Sequence, residues 1–208
     1  MDAKETVLQF VAGKIDAKAF TDALYAEPLM EEFLGDPSVD WHGTFVGRSA
    51  ANLHHYLLEL DFSRTSDKMD ALEALELFLE KKGIPYSKDT EAEARYGLLH
   101  DLMLDTEPSY LDVGYDFFEK HIAPADIKMP KAELKKTARE NYGKFFKYQT
   151  KPPSWIQGPE WPVKGETPLF FVGQLQLKLN HEAFHDEGAV YVFLDIANGE
   201  IETVRQFY

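Results

Sequence analysis

The chain contains no cysteine, which excludes a disulfide framework, a thiolate zinc site and a cysteine nucleophile. It is also poor in positive charge: 22 Lys+Arg stand against 36 Asp+Glu, a formal net charge of −14. Neutralising phosphates requires a basic footprint, so nucleic acid and an anionic membrane surface are disfavoured as partners. No apolar run approaches the roughly 20 residues of a membrane-spanning helix. The opening residues, Met1 to Glu5, have neither the basic start nor the long apolar stretch of a signal peptide. A soluble, cytoplasmic protein is the expectation. The phosphate-cradling and nucleophile-turn motifs G-x-x-x-x-G-K-[ST], G-x-G-x-x-G and G-x-S-x-G are missing too. The sequence therefore points away from an enzyme and calls for no cofactor.

What is present suffices for a real core. Apolar residues make up 44% of the 208 positions and aromatics 13%, enough for one domain with an appended helical part or for two small ones. The charge is unevenly placed. Residues 1–125 hold 25 Asp+Glu against 11 Lys+Arg, whereas residues 126–208 hold 11 against 11. Such asymmetry is a boundary signal, and Pro124 and Pro130 within residues 123–130 mark the same place. The expected organisation is an acidic helical part, 1–125, followed by an α+β part, 126–208.

The first part reads as a series of short helices. Val7, Leu8, Phe10 and Val11 form a stripe that stops at Gly13. Asp16 is placed to cap a helix carrying Phe20 and Leu24, and Pro28 to open another that Gly35 stops. After a loop from Asp36 to Gly47, Ser49 is expected to cap a helix bearing Leu53, Tyr56, Leu57 and Leu60. The next helix, from about Ser66, is expected to turn Met69, Leu72, Leu75 or Ala74, and Leu79 inward. Its polar face is Glu73, Glu76 and Glu80, and Gly83 ends it. A helix over Thr90 to Leu104 and a shorter apolar segment, Tyr115 to Ile122, complete this part.

The second part opens with a helix from Pro130 to about Phe146, basic along Lys131, Lys135, Lys136 and Arg139. Pro152, Pro153, Pro159 and Pro162 then forbid helix. Trp155 and Trp161 in that segment carry too much apolar area for a free loop. They are expected to lid a sheet edge, each indole N–H finding a partner. Three strands follow: Leu169 to Leu179, in which Leu175, Leu177 and Leu179 alternate with Gln174, Gln176 and Lys178; Ala189 to Ile196, the most apolar and so the central one; and Ile201 to Tyr208, reached through the hairpin dipeptide Asn198-Gly199. The fold class is thus α+β: a multi-helix part, then a helix and a small, mainly antiparallel sheet.

Three blocks carry a resemblance. The arrangement P-x-W-I-Q-x-x-E-W-P (with Trp155, Gln157, Glu160, Trp161 and Pro162), the run Pro168 to Gln174, and Gly188 to Asp195 resemble the bacterial YwqG-like family of unknown function (DUF1963). The resemblance covers about residues 150–208. It implies a structural role for these motifs and supplies no catalytic residues. The acidic helical part is similar to the immunity proteins encoded beside bacterial polymorphic toxins, in its many short helices and strong acidity.

Two constellations bear on function. His181-Glu182-Ala183-Phe184-His185 is a literal H-E-x-x-H, the spacing at which two imidazoles on one helical face hold zinc while the glutamate activates water. Here it falls in the connection between two strands and no histidine follows it. A third ligand would have to be Asp186, Asp195, Glu200 or Glu202. A polar loop, or metal pickup by His181 and His185 alone, are the other readings. The second constellation is a pair of windows without a single Lys or Arg. Ala19 to Gly47 holds Asp22, Glu27, Glu31, Glu32, Asp36 and Asp40 around Trp41. Tyr96 to Glu119 holds Asp101, Asp105, Glu107, Asp112, Asp116 and Glu119 around Tyr110 and Tyr115. Carboxylates around an exposed aromatic suit a plug for a basic, phosphate-binding cleft, in which charge steers and the ring fills the pocket. A solvated helix surface with inward aromatics is the alternative.

From these features the expected function is that of a non-enzymatic immunity or antitoxin-like protein that occludes a basic toxin, such as a nuclease. Asp101, Asp105, Glu107, Tyr110, Asp112, Tyr115 and Asp116 would form the partner-binding set. A YwqG-like binding module, or a zinc hydrolase using His181, Glu182 and His185, are the competing readings.

Overall fold

A computed structural model describes residues 2–177 and 187–208. The fold is α+β, with the helices mostly N-terminal and the sheet at the C-terminus. Two compact units are resolved, Met1–Gly97 and Leu98–Tyr208.

The first unit is helical. Helix α1 (Ala3–Val11) buries Ala3, Val7, Phe10 and Val11, the i, i+4, i+7, i+8 stripe of a helix with one apolar face. Helix α2 (Ala17–Ala26) starts as expected: the Asp16 carboxylate accepts from Ala19 N–H at 2.8 Å. It sends Phe20 against Phe10 with the rings stacked, centroids 4.2 Å apart. Helix α3 (Pro28–Leu34) has its proline at N1 and ends at Gly35. Helices α4 (Phe45–Ser49) and α5 (Leu53–Leu58) are short. Ser49 closes α4, and the cap of α5 is Asn52, whose side chain accepts from His55 N–H at 2.9 Å. The expected Ser49 cap is displaced because Asn52 supplies the stronger cap one residue before the first buried leucine.

Helix α6 (Thr65–Lys81) is the longest element wholly within this unit. It buries Ala71, Ala74, Leu75, Phe78 and Leu79, a stripe rotated from the expected one. Phe78 decides the rotation: its ring meets Phe33 edge-on at 5.1 Å and lies parallel to Trp41 at 6.4 Å. Burying this large aromatic outweighs burying Met69 and Leu72, and those two are left half-exposed.

The unit boundary falls inside α7 (Thr90–Thr106), at Gly97. It lies away from the 125/126 position suggested by charge and proline. The prolines punctuate a connection within the second unit, from α8 (Tyr115–Phe117) and the π-helical turn Phe118–Ile122 to α9 (Lys131–Phe145). Across that connection Phe118 packs on Tyr142 and Phe117 on Phe146. Charge follows surface composition, which packing need not respect. By unit, residues 1–97 carry 19 Asp+Glu against 10 Lys+Arg and residues 98–208 carry 17 against 12, so both are acidic, by −9 and −5.

A two-residue hairpin, β1 (Val163–Lys164) with β2 (Thr167–Pro168), precedes the main sheet. The main sheet is β3 (Phe170–Leu177), β4 (Gly188–Leu194) and β5 (Ile201–Phe207), antiparallel, in the order β3-β4-β5. β4 is central, as its apolar run implies. Asn198-Gly199 makes the turn into β5, with Gly199 at φ +78°. The alternation expected in β3 is kept at Leu177, which is buried, with Gln176 exposed, and broken at Leu175; Lys178 and Leu179 lie outside the described residues. A bulge between Phe171 and Gly173 shifts the register there, and an extra residue locally re-aims the side chains beside it. Leu175 is therefore 64% exposed. Gln174 pairs with buried Tyr191 and so lies on the inner face.

That inner face is covered by the tryptophan segment, which lids a face rather than an edge. Trp155 Nε1 donates to Tyr110 O and Trp161 Nε1 to Leu169 O, each at 2.9 Å. Trp161 lies edge-on to Phe146 at 5.4 Å and against Phe171 and Phe193 of the sheet. The loop backbone, which no ladder satisfies, is held by side chains of the sheet. Ser154 N–H donates to Gln174 Oε1 at 2.8 Å, and Ile156 and Gln157 N–H both donate to Gln206 Oε1 at 3.0 and 2.9 Å.

Candidate functional site

The acid-rich windows are placed very differently by the fold. In the second, Asp105 is committed within its own unit: Lys131 and Lys135 reach its carboxylate at 3.4 and 2.9 Å, and Arg139 donates to its backbone carbonyl at 3.2 Å. These lysines, Lys135 foremost, hold its carboxyl below the usual carboxylate range. The basic stripe of α9 is thus spent on α7. Glu107 is half-buried and accepts from Val113 N–H at 3.0 Å, and burial pushes its carboxyl up. Tyr110 packs against Tyr148 and Trp161, and Tyr115 is buried at 6% exposure. A ring enclosed in this way cannot fill a partner's pocket, so the expected anchor role of Tyr115 is overturned. Asp116 is half-buried; Asp105 is exposed but ion-paired, and Asp101 and Asp112 are the other exposed carboxylates of the expected partner-binding set.

In the first window Trp41 is buried, stacked on Phe78, with Lys81 Nζ 5.9 Å from its ring centroid. Asp36 is paired to Lys82, which holds it far below the usual carboxylate range. The aromatic this window presents is Tyr25, 64% exposed, one turn after the exposed Asp22; Leu29 in the same window is 57% exposed. The motif at His181, Glu182 and His185 lies outside the described residues. Among the described residues no group of three or more His, Asp or Glu converges to hold a metal ion. No helix among them is long and apolar enough to cross a membrane.

The acidic feature with a defined concave shape lies elsewhere in the first unit. Beside α6 and the start of α7 is a cleft of about 390 Å³. Val11, Met69 and Leu72 supply its apolar surface, Tyr96 adds an aromatic, and the carboxylates of Asp70, Glu73, Glu76, Asp89 and Glu93 surround a single ammonium, Lys88. The rotation of α6 creates it, since turning Phe78 inward leaves Met69 and Leu72 at the surface. Each wall has a local cause. Asp89 caps α7, accepting from Ala92 N–H at 3.1 Å, and its own N–H donates to Val11 O at 3.2 Å. Gly13 makes this closure possible: its φ is +68°, and a Cβ there would stand 2.6 Å from the Asp89 carboxylate. Lys88 meets Glu76 at 2.5 Å and Glu93 at 3.9 Å, and its pKa is raised, chiefly by Glu76.

Five carboxylates against one ammonium leave the cleft strongly negative. The Asp70 carboxyl is pushed above its ordinary range, first by desolvation and then by Asp67, which lies outside the lining of the cleft. A ligand that brings positive charge is attracted to such a surface. Glu73 and Glu76 were legible only as the solvated face of a helix. The signal that could have found the cleft is the conjunction of Gly13, Asp89 and that face, which is long-range. No family model, no curated protein and no solved structure matches the chain.

Proposed function

We propose that this protein acts without catalysis, by stoichiometric binding of a basic protein partner. In the most specific form of this reading it is a cytoplasmic bacterial immunity or antitoxin-like protein that occludes a toxin. The observation that carries the reading is the cleft beside α6, whose carboxylates outnumber its one lysine five to one around an apolar floor. A lysine or arginine side chain fits such a site: its methylene stem lies on Met69 and Leu72 while its charged head meets the carboxylates. The overall charge of −14 adds a long-range field that steers a basic partner in. The weighting of residues differs from the expectation raised by the sequence, because Asp105, Glu107, Tyr110 and Tyr115 serve the fold of their own unit.

The test is to express the reading frame beside this gene in a sensitive host, with and without this protein. Growth arrest by the neighbour alone and recovery on co-expression is the expected outcome. A neighbour that is harmless, or that kills equally in both cells, would overturn the immunity form of the proposal.

A further inference from the structure

The β3 edge of the main sheet is paired at one residue and then left open among the described residues. Phe171 turns its backbone groups away from β4. Its N–H donates to Lys147 O at 2.9 Å and its carbonyl accepts from Gln149 N–H at 3.0 Å, so residues 147–149 run parallel to β3 there. Pro152 and Pro153, which bring no N–H, end this pairing. The chain then crosses to the inner face, where Ser154 N–H donates to Gln174 Oε1 at 2.8 Å. The crossing leaves a groove of about 550 Å³, lined by Thr150, Lys151 and Ser154 of the departing segment and by Val172, Gln174 and Gln176 of β3.

The register fixes which backbone groups face this groove. Asp195 N–H donates to Glu200 O and Tyr208 N–H to Glu187 O. These bonds flank β4, so its odd-numbered residues bond to β5 and its even-numbered ones to β3. The β3 partners of Val192, Val190 and Gly188 are Gly173, Leu175 and Leu177. Gln174 and Gln176, between them, turn N–H and C=O outward, and no hydrogen bond reaches those groups among the described residues. Neither a charge nor a proline between Gly173 and Leu177 blunts the edge. Among the described residues Lys151 is the one charge lining the groove, and it is exposed without an ion pair.

We infer that this groove takes an extended, acid-bearing segment of a partner chain, added as a strand to the β3 edge. An extended backbone is specified because only it presents N–H and C=O at the two-residue spacing of Gln174 and Gln176. A helix has spent its own backbone groups and would leave those of the edge to water. An acidic side chain is specified because Lys151 is the groove's unopposed charge. The edge belongs to the other unit from the acidic cleft and asks for the opposite charge. The inference therefore goes beyond the basic-partner reading and stands without it.

The probe is a capped peptide of alternating valine and threonine with one glutamate, titrated into the isotope-labelled full chain. Saturable shifts of the Gln174 and Gln176 amides are expected, with slowed hydrogen exchange at both but not at Leu175, whose N–H is already bonded to β4. Gln176→Pro removes an outward N–H and no bond to β4, and should abolish binding. The same peptide with N-methylated backbone amides tests the pairing without altering the protein, and should not bind. Lys151→Glu should bind about tenfold more weakly at an unchanged melting temperature. Equal binding of the N-methylated peptide, or no shift at Gln174 and Gln176, would overturn the inference. Shifts of those amides on concentrating the protein alone, with a dimer in sedimentation, would overturn it in favour of a second copy. Unchanged binding by Lys151→Glu would overturn the acidic requirement.

Discussion

Gln206→Leu is expected to destabilise the second unit by about 2–4 kcal/mol, since it removes four hydrogen bonds, each of which contributes about 0.5–1.5 kcal/mol net. Gln206 is 1% exposed and each end of its amide is used twice. Its Oε1 accepts from Ile156 and Gln157 N–H, and its Nε2 donates to Gly158 O at 2.8 Å and Glu160 Oε1 at 3.0 Å. Leucine of similar volume keeps the packing but removes all four bonds; Ile156 N–H keeps Tyr191 Oη at 3.0 Å, and Gln157, Gly158 and Glu160 are exposed and turn to water. At a few degrees per kcal/mol for a chain of this size, the melting midpoint should drop by about 10 °C. The emission of Trp155 and Trp161 should shift to the red as the lid loosens. Gln206→Glu separates hydrogen bonding from shape. It retains the oxygen that accepts from Ile156 and Gln157, loses the two N–H donors and sets a second carboxylate against Glu160. Two carboxylates so close raise one another's pKa. The variant should accordingly be more stable in acid, where one is protonated, and lose that stability as pH rises. A Gln206→Leu protein that melts with the wild type would show that the segment is held by ring packing alone.

Phe78→Ala is expected to cost a similar amount in the first unit, about 3–5 kcal/mol, the usual range for deleting a buried phenylalanine. Phe78 is fully buried between Phe33 and Trp41, and its loss opens a cavity against the last turn of α6. Against a typical stability of about 5–15 kcal/mol, much of the margin would vanish. Amide exchange across α6 should accelerate by orders of magnitude. The consequence for the proposed function is specific. The inward pull of Phe78 leaves Met69 and Leu72 at the surface, so a surviving fold should show a rotated α6 and weaker binding of a basic partner. Phe78→Leu, which refills most of the volume, should recover most of both. A protein in which Phe78→Ala leaves amide exchange unchanged would contradict the packing described here.

Local chemistry made some of this structure legible in the sequence. The Asp16 cap, Pro28 at the first turn of α3, the Asn198-Gly199 turn and the central position of β4 each depend on neighbours a few residues away. Longer-range competition decided the rest. Four apolar residues of α6 could equally have faced inward, and the choice was made by Phe33 and Trp41, more than thirty positions upstream. The face of Gln174 and Leu175 depended on one extra residue at the bulge, which alternation alone does not reveal. Charge was the most misleading guide to place. Asp105 lies in an acid-only stretch, yet its counter-ions Lys131 and Lys135 arrive from α9. Glu76 and Asp89, unremarkable on a helix and in a connection, meet at a cleft because Gly13 lets the chain close on Asp89.

The most direct test of the basic-partner reading is a calorimetric titration of the purified neighbouring gene product into the wild type and into a triple variant, Asp70→Asn, Glu73→Gln and Glu93→Gln. The variant spares Glu76, which holds Lys88, and Asp89, which caps α7. One-to-one binding that weakens steeply with added salt is expected for the wild type. At about 1 kcal/mol per carboxylate, the triple variant should bind about 100-fold more weakly, with an unchanged melting temperature. Equal affinity in the two proteins, or affinity indifferent to salt, would contradict the assignment of the cleft as the site where a basic partner is held.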